Sequence, residues 1–409
     1  MVRIGVVGAG IVGAAIATRL IGDGHAVTVF EAEPDGLPTS SGNAALLALP
    51  EIAPIASPGM LTAVPKWLLD PLGPLTLRWQ DLPALTPWLL AFLAAATPAH
   101  GARVRAALAE LMRSALADHR ELGAIAGLDG HLRQTGFLSL HDSKASLDGA
   151  LREAAQVKDI LGYDYAAISA DAARAMVPQL EGDFFGALHQ PVYWMVSNPL
   201  TVLRHYQNFI RARGQLVHGR VQALQQREAG IAVQLDGQDD QLFDKVVIAA
   251  GIWSRDIVRG LGLKVLLENE RGYNTTFSDL AWNLPLPVGF PEHGFVAVPL
   301  VDGLRVGGAV ELAKPQTPPN FARAKAMRQK MRRYVPSLPE GGTQWMGRRP
   351  STPDSLPVIS PHPRDKRLVF AFGHGHLGLT LSAVTARLVS GLMNEEAAAP
   401  EAFSISRFA

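Results

Sequence analysis

Residues 2–31, VRIGVVGAGIVGAAIATRLIGDGHAVTVFE, join an apolar run, a glycine loop, an Ala-rich segment and a second apolar run that ends in an acid. An unbroken apolar run indicates a strand that is buried on both faces, and the helical periodicity after the glycines indicates a helix. The order strand, helix, strand predicts a βαβ unit with a parallel sheet. This stretch therefore places the chain in the α/β class.

The glycines of this stretch form a specific pattern. Gly8, Gly10 and Gly13 match G-x-G-x-x-G between the predicted strand and the predicted helix. The first two let the backbone turn and approach a pyrophosphate, the third lets the helix pack on the strand, and the helix N-terminus adds amide groups. Glu31, at the end of the second strand, can accept hydrogen bonds from ribose hydroxyls. The pattern predicts a dinucleotide site, and the alternative is a tight turn in an α/β protein.

Composition narrows the class of ligand. The chain has 409 residues, a hydrophobic content of 48%, a net charge of about +1 and no cysteine. Its length favours two or three domains. With no long run of Lys or Arg, we expect no nucleic acid partner and instead a small-molecule ligand. The lack of cysteine excludes disulfides, Cys-ligated zinc, a catalytic thiol and a flavin attached through sulfur, and it is compatible with a reducing cytoplasm.

Later segments predict two interleaved domains. Residues 198–213 have a helical pattern, and the predicted strand at 242–248 leads into small residues and Gly251, which suggests that the chain returns to the first sheet. The alternation at 265–312 indicates an antiparallel sheet. We therefore assign a nucleotide-binding domain and a substrate domain to discontinuous ranges, 1–55, 196–264 and 343–409 for the first, 56–195 and 265–342 for the second.

A second glycine loop, GHGHLGLT at residues 373–380, follows an apolar run and precedes another helical pattern. Its spacing does not fit a pyrophosphate, but its N–H groups can converge on one electron-rich atom, such as the negative edge of a reduced flavin. His374 and His376 lie in this loop without nearby acids in the sequence. We predict no metal site there and expect both rings to fill space.

Taken together, several stretches resemble the FAD-dependent D-amino acid oxidase and glycine oxidase superfamily, most of all its bacterial D-amino acid dehydrogenases. The resemblance rests on GAGIVGAAIA, the strand ending at Glu31, TSSGNA at 39–44, RGY at 271–273, GRRPSTPDSLPVI at 347–359 and GHGHLGLT. It implies a Rossmann-like FAD domain of the glutathione reductase type interleaved with an antiparallel-sheet substrate domain, a mixture of α/β and α+β structure. Since no cysteine is present, we expect the FAD to be noncovalent.

The resemblance also implies roles for single residues. Arg349, immediately before a proline, would hold a substrate carboxylate through two parallel hydrogen bonds, and Tyr273 would be a second substrate contact. Arg348 would turn away towards an acid such as Asp354, and the alternative is that both arginines are surface charges. The residues implied for the cofactor are Gly8, Gly10, Gly13, Glu31, Thr39, Ser40, Ser41, Asn43, Val221, Gly251, Gly375, His376, Leu377, Gly378 and Thr380.

The implied reaction is removal of hydride from the α-carbon of an amino acid, with a D-amino acid favoured, to give an imino acid that water hydrolyses to a 2-oxo acid and ammonia. Three alternatives stay open: a related flavoenzyme acting on sarcosine, proline or hydroxyproline, an NAD-dependent dehydrogenase, and a noncatalytic flavin-binding subunit. The sequence leaves the electron acceptor, the substrate side chain and the oligomeric state open.

The apolar part of residues 60–97 predicts a peripheral membrane contact. Trp67, Trp79 and Trp88 lie among apolar residues there, a composition that suits the membrane interface, although a packed helix pair is the alternative. The apolar run at 85–96 is roughly half of the ~20 residues that a spanning helix needs, so we predict no transmembrane helix. We expect a cytoplasmic protein that contacts the inner face of the membrane and passes electrons to a quinone or another acceptor.

Overall fold

The computed structural model describes residues 1–33, 37–57, 59, 75–128 and 130–409. The α-helices in these residues are α1 (Ile11–Gly22), α2 (Leu82–Ala95), α3 (Pro98–Ala126), α4 (Lys144–Leu161), α5 (Ala170–Met176), α6 (Pro199–Arg213), α7 (Ser254–Gly260), α8 (Ala322–Met331) and α9 (Ser382–Met393). The strands are β1 (Arg3–Val7), β2 (Ala26–Glu31), β3 (Leu46–Leu47), β4 (Leu75–Leu77), β5 (Leu132–Gln134), β6 (Phe137–His141), β7 (Ala166–Ser169), β8 (Gly186–Gln190), β9 (Trp194–Val196), β10 (Gln215–His218), β11 (Val221–Arg227), β12 (Gly230–Leu235), β13 (Gln241–Phe243), β14 (Lys245–Ile248), β15 (Glu268–Phe277), β16 (Val288–Phe290), β17 (Phe295–Leu300), β18 (Gly303–Leu312), β19 (Thr343–Ser351), β20 (Val358–His362) and β21 (Asp365–Phe372).

The first sheet contains the predicted βαβ unit. Its strand order is β10-β2-β1-β14-β21-β20, and every neighbouring pair is parallel except the edge pair of β20 and β21. Ile4 and Val6 of β1 belong to the apolar core on one face, and Val7 belongs to the core on the other. Burial on both faces explains the unbroken apolar runs. The pairing of β14 with β1 confirms the predicted return of the chain to this sheet.

The second sheet has nine strands, in the order β19-β15-β18-β17-β16-β6-β8-β7 with β4 added beside β18. Most of its neighbouring pairs are antiparallel, as the alternation predicted. Helix α8 covers one face, where Met327 and Met331 join the core of this sheet. The two sheets confirm the predicted fold class, a parallel sheet with helices beside a mainly antiparallel sheet.

The domain assignment from the sequence differs from the sheets at β19. All six strands of the first sheet fall within the ranges given to the nucleotide-binding domain. Residues 343–351, however, pair with β15 along the whole of β19, so they belong to the second sheet. The chain leaves the second sheet after Ser351 and reaches the first sheet at β20. The exact domain boundaries stay a prediction.

Helix α2 bears on the predicted membrane contact. Trp88 is 5% exposed and its indole Nε1 donates to the carbonyl oxygen of Ser351 at 2.9 Å, so it faces the protein. Leu90 and Leu93 point outward and are 62% and 51% exposed. Trp67 lies outside the described residues, as does the side chain of Trp79. Within the described part of the chain no single helix has the length and composition of a membrane span, and α2 with α3 passes that test only as a pair bent by 93°.

Candidate active site

A cavity of about 400 Å³ lies at the carboxyl ends of the first sheet's parallel strands, where ligands of open α/β sheets bind. It extends from the end of β2 to β19 and the glycine loop after β21. The predicted site residues that line it are Gly8, Gly10, Glu31, Thr39, Ser40, Asn43, Val221, Gly251, Arg349, Gly375, His376 and Gly378. The described lining does not include Gly13, Ser41, Tyr273, Leu377 or Thr380.

The glycine loop after β1 leaves no room for side chains at two positions. Gly8 has φ +105°, and a Cβ there would lie 2.5 Å from the carbonyl oxygen of Ala249. A Cβ on Gly13 would lie 2.0 Å from the carbonyl oxygen of Gly8, so Gly13 serves the packing of α1 rather than the cavity wall. Glu31 accepts from the backbone N–H of Ala9 at 3.1 Å. The loop, the N-terminus of α1 and this carboxylate together fit a dinucleotide.

The hydroxyl groups of residues 39–41 hold backbone segments together. Thr39 Oγ1 accepts from the N–H of Arg348 at 3.1 Å and donates to the carbonyl of the same residue at 3.2 Å. Ser40 Oγ accepts from the N–H of Ile11 at 3.0 Å, and Ser41 Oγ donates to the carbonyl of Pro38 at 2.8 Å. Thr39 and Ser40 line the cavity, and their hydrogen bonds fix β19 and α1 around it.

A buried arginine, which the sequence analysis missed, anchors this loop from the second sheet. Arg305 of β18 donates to the carbonyl oxygens of Ser41 at 3.2 Å and Asn43 at 2.7 Å. Asn274 of β15 donates to the carbonyl oxygen of Gly42 at 2.8 Å. Burial lowers the pKa of Arg305 to about 10. A single arginine inside the apolar run GLRVGGAV was the available signal, because a buried charge needs partners.

Arg349 lies on the cavity wall and pairs with an acid on the neighbouring strand. The register places Glu270 of β15 opposite Arg349 of β19, and Arg349 Nη1 donates to Glu270 Oε1 at 3.0 Å. The guanidinium lies against Gly272, where a Cβ would be 2.2 Å from Nη2. Because position 272 is a glycine, the guanidinium of Arg349 has room to lie there.

Glu270 is a buried carboxylate with several donors, and the sequence analysis missed it. Its side chain is 5% exposed. Ser351 Oγ donates to Oε2 at 2.9 Å, and His376 Nε2 lies 2.5 Å from Oε1, the same oxygen that Arg349 contacts. Burial alone would raise the pKa of Glu270, but His376, Arg349 and Ser351 together lower it to about 2. Glu270 is therefore ionised. Its position directly before the RGY motif was the available signal in the sequence.

The two histidines of the second glycine loop have different surroundings. His374 is buried, its Nε2 lies 2.9 Å from Thr385 Oγ1, and burial lowers its pKa to about 4. This neutral ring fills space, as expected. His376 instead lies beside Glu270 and lines the cavity, with its side chain 42% exposed. The described residues contain no group of three or more His, Asp or Glu side chains that could hold a metal ion.

Tyr273 lies away from the cavity. Its hydroxyl donates to Glu311 Oε2 and accepts from the N–H of Asn320 at 3.0 Å, and burial raises its pKa. Side chains alternate along β15, so Glu270 and Gly272 lie on the face where Arg349 packs, while Tyr273 points to the opposite face. In this structure Tyr273 belongs to the core of the second sheet, and the predicted contact with substrate has no support from its position.

Arg348 also differs from the expectation. Its guanidinium lies 5.9 Å from the ring centroid of Trp253, on the cavity wall. The suggested partner Asp354 is wrong, because Asp354 accepts from Arg407 Nε at 2.7 Å. Arg407 comes from the last turn of the chain, far from Asp354 in sequence.

Trp345 is a further cavity residue that the sequence analysis missed. Its ring lies flat against Gly42 and Gly347, where a Cβ would come within 2.3 Å and 2.0 Å of ring atoms. The alternation of Trp345 and Gly347 before the arginines was the signal, since it places a large ring on the cavity face of β19. Trp345 and Arg349 both line the cavity.

Comparison with known proteins decides the family. Residues 3–392 match the family described as FAD dependent oxidoreductase. The chain belongs to this family. The FAD-dependent oxidoreductase is 31% identical over 402 residues to a D-amino-acid oxidase of Bradyrhizobium diazoefficiens, covering 96% of this chain and 95% of the relative. It is 32% identical over 414 residues to a D-amino acid dehydrogenase of Methylobacterium nodulans, covering 97% and 96%.

A solved structure has the same fold. The glycine oxidase of Geobacillus kaustophilus superposes on the oxidoreductase with a TM-score of 0.75 at 23% sequence identity, over 100% of this chain and 99% of that one. The cavity fits FAD by its chemistry: a carboxylate at the end of β2, a glycine loop that a Cβ would block, and a second end lined by Trp345 and the second glycine loop.

Proposed function

We propose that this FAD-dependent oxidoreductase oxidises the CH–NH bond of a D-amino acid to an imino acid, which water hydrolyses to a 2-oxo acid and ammonia. The observation that carries the proposal is Arg349, a guanidinium on the wall of the cavity. The names of the relatives, D-amino-acid oxidase and D-amino acid dehydrogenase, support the choice of substrate. FAD, when bound, supplies the acceptor for the hydride from the α-carbon.

Arg349 would bind the substrate carboxylate. Within the described residues its hydrogen bonds go through Nη1 alone, to Glu270 and to the carbonyl oxygen of Ala309. Nη2 and Nε are therefore left for a ligand in the cavity, and a planar pair of N–H groups matches the geometry of a carboxylate. Holding the carboxylate at one end fixes the α-carbon relative to the cofactor, which is a positioning contribution.

The cofactor residues follow the same proposal. Glu31 would accept from the ribose, the loop from Gly8 to Gly13 would hold the pyrophosphate, and the backbone of Val221 would contact adenine. Trp345 and the loop of Gly375, His376 and Gly378 would lie at the flavin end. Ser41 and Thr380 would act indirectly, since both are buried and bond to backbone groups, Thr380 to Ala48 N at 3.1 Å. We propose that the FAD is bound noncovalently.

The test is anaerobic mixing of the purified protein with a panel of D-amino acids, L-amino acids, glycine, sarcosine and proline. We expect bleaching of the flavin absorbance near 450 nm, on the order of tenfold faster with D-amino acids than with their L-enantiomers. Faster reduction by sarcosine or proline would move the function to the secondary-amine class. No reduction by any compound of the panel would reject the proposal.

The family implies an electron acceptor, and we propose that it is a membrane quinone reached from the outward face of α2. Leu90 and Leu93 are exposed there on a helix without charged residues. Such a face suits the interface of a bilayer. Wild-type protein should co-sediment with liposomes, and Leu90→Glu/Leu93→Glu should not. Equal sedimentation of the two proteins, or no sedimentation of either in low and moderate salt, would reject this contact.

A further inference from the structure

Arg349 and His376 contact one and the same carboxylate oxygen. Glu270 Oε1 lies 3.0 Å from Arg349 Nη1 and 2.5 Å from His376 Nε2. Both side chains also line the cavity. A guanidinium and an imidazole therefore lie next to each other on the wall, and both are held by an acid that is itself buried.

The proposed substrate presents two groups to such a wall. An α-amino acid carries a carboxylate and an ammonium group on one carbon, and the ammonium nitrogen has no free electron pair. Loss of hydride from the α-carbon leaves a C=N bond, which needs that electron pair. A proton must therefore leave the nitrogen before or during the oxidation, and a group beside the carboxylate site is placed to take it.

The contact with Glu270 decides which nitrogen of His376 is available. Since Glu270 is ionised, it accepts a hydrogen bond, so Nε2 of His376 carries a proton. In the neutral ring the other nitrogen, Nδ1, then holds a free electron pair. The carboxylate also stabilises the imidazolium that forms when Nδ1 takes a proton.

Few other groups near His376 could do this. Its own loop contributes His374, which is buried and neutral. From β15 it contacts Glu270, and on β19 Arg349, which shares that carboxylate oxygen, and Arg348, which lies by Trp253, are cations without a free electron pair. The remaining charged residues of the described lining come from β2, the loop after β10 and α7, namely Glu31, Glu33, Arg220 and Asp256.

We propose that His376 is a catalytic residue that removes the proton from the substrate's α-ammonium group, and that Glu270 is the positioning residue that orients both His376 and Arg349. The inference rests on the proposed amino-acid oxidation. The N–H bond of the ammonium breaks, its electron pair stays on nitrogen, and the proton forms a bond with Nδ1 to give an imidazolium. When FAD is bound, the hydride would carry both electrons of the α-C–H bond to it, and the electron pair on nitrogen would form the C=N bond.

The first test needs no variant. The rate of anaerobic flavin reduction is measured against pH with D-alanine and with a D-arylglycine, whose amine is less basic. If His376 takes the proton, the rate falls at acid pH through a limb that belongs to the imidazole and stays at the same pH for both substrates. A limb that moves with the basicity of the substrate amine would overturn the proposal, because the substrate would then lose its proton to solvent before binding.

The second test uses His376→Gln, which keeps a polar group of similar reach. At pH 7 its rate of flavin reduction should fall about 10²- to 10⁴-fold, the usual contribution of a positioned base. At pH 10, where the substrate amine is largely neutral, the rate should recover to within about tenfold of the wild type. Added imidazole should raise the rate of His376→Ala at pH 7. A loss that is the same at both pH values, without rescue, would show a structural role and overturn the proposal.

Binding of a carboxylate that has no amine tests the roles of Arg349 and His376 separately, and it requires no turnover. Propionate has the carboxylate of the substrate but no amine, and its binding can be followed by the change in flavin absorbance. His376→Gln should bind it within about threefold of the wild type, whereas Arg349→Ala should lose about tenfold or more. An equal loss in both variants would contradict separate roles.

Glu270→Gln tests the positioning role. Without the carboxylate the imidazolium is less stable, so the acid limb of the pH profile should move to lower pH, and propionate should bind more weakly because Arg349 loses its partner. An unchanged limb with unchanged propionate binding would remove Glu270 from the proposal. If wild-type flavin is not reduced by any amino acid, the proposed function fails. If it is reduced but His376→Gln matches the wild type at every pH, only the present inference fails.

Discussion

At the end of the cavity that we propose for the dinucleotide, residues 2–31 contribute the glycine loop and the carboxylate of Glu31. At the opposite end, side chains from distant segments line the cavity, Arg349 from β19 and His376 from the loop after β21, and both contact the buried Glu270 of β15. The first end depends on room for the backbone. The second depends on charges that hold each other in place.

The difference predicts different responses to substitution. A site built from backbone tolerates changes of charge but not an added Cβ where the chain packs against itself. A site built from buried charges responds to removal of any partner, because the remaining charge loses its compensation.

The largest effect should come from Gly13→Ala. Its Cβ would lie 2.0 Å from the carbonyl oxygen of Gly8, so either α1 or the loop must shift. We expect the Kd for FAD to rise by more than about 100-fold, roughly 3 kcal/mol, with a loss of folded protein. Fluorescence titration of the apoprotein with FAD measures it. Gly260→Ala is the matched control, since a Cβ there meets no atom within 4 Å. FAD binding by Gly13→Ala at the level of this control would contradict the backbone account.

The contrast also explains what could be predicted from the sequence. The dinucleotide end is local, and its strand, glycines and acid were read together from residues 2–31. Arg349 was proposed from the resemblance of its R-P step, but Glu270 was not, because only the pairing of β15 with β19 brings the two together. Tyr273 was placed in the site from its position after RG, yet the alternation of β15 turns it to the other face. Such pairings depend on register between distant strands, which no local pattern gives.

The buried ring of His374 should make the free energy of unfolding of the protein sensitive to acid. Its pKa is lowered to about 4 in the folded protein, from 6.5 for the ordinary side chain. Between these values the unfolded chain binds a proton that the folded protein does not, so the free energy of unfolding falls as the pH drops from 6.5 to 4 and is unaffected above 6.5. The full loss is about 3 kcal/mol.

The measurement is the apparent melting temperature against pH, with FAD in excess. In His374→Gln, which can still bond Thr385, the decline between pH 6.5 and pH 4 should be smaller than in the wild type. Above pH 6.5 the melting temperatures of the two proteins should change with pH in the same way, even if one protein is more stable than the other throughout. Parallel curves over the whole range would mean that His374 does not couple protonation to stability.

Arg349→Ala should lose about 1.5–3 kcal/mol of transition-state binding, about 10- to 150-fold in kcat/KM, if the guanidinium holds the substrate carboxylate. The structure adds a complication, because the same change leaves Glu270 without one of its donors. Arg349→Ala combined with Glu270→Gln removes that buried charge and separates the two effects. Thermal stability should improve in the double variant relative to Arg349→Ala, while kcat/KM stays low.

Two further variants test whether Arg349 or Arg348 binds the substrate carboxylate. Arg349→Lys should restore activity only in part, because an ammonium keeps the charge and loses the planar fork. Arg348→Ala should stay within about fivefold of the wild type, since its guanidinium lies by Trp253 rather than by Glu270. A larger loss in Arg348→Ala than in Arg349→Ala would exchange their roles.

The smallest effect should come from Glu31→Ala, at the dinucleotide end. Loss of one charged acceptor for the ribose should weaken FAD binding about tenfold, about 1.4 kcal/mol, and leave turnover normal when FAD is in excess, because the ribose is far from the reacting atoms. Glu31 also accepts from the N–H of Ala9, so Glu31→Gln, which keeps an acceptor for the loop, should lose less. Glu33→Ala is the control, since its carboxylate is 58% exposed and contacts Arg220 at 3.5 Å. The cofactor content after dialysis should fall in the order Glu33→Ala, Glu31→Gln, Glu31→Ala. If all three variants retain FAD equally, Glu31 is not the ribose ligand, and the dinucleotide end is held by its backbone alone.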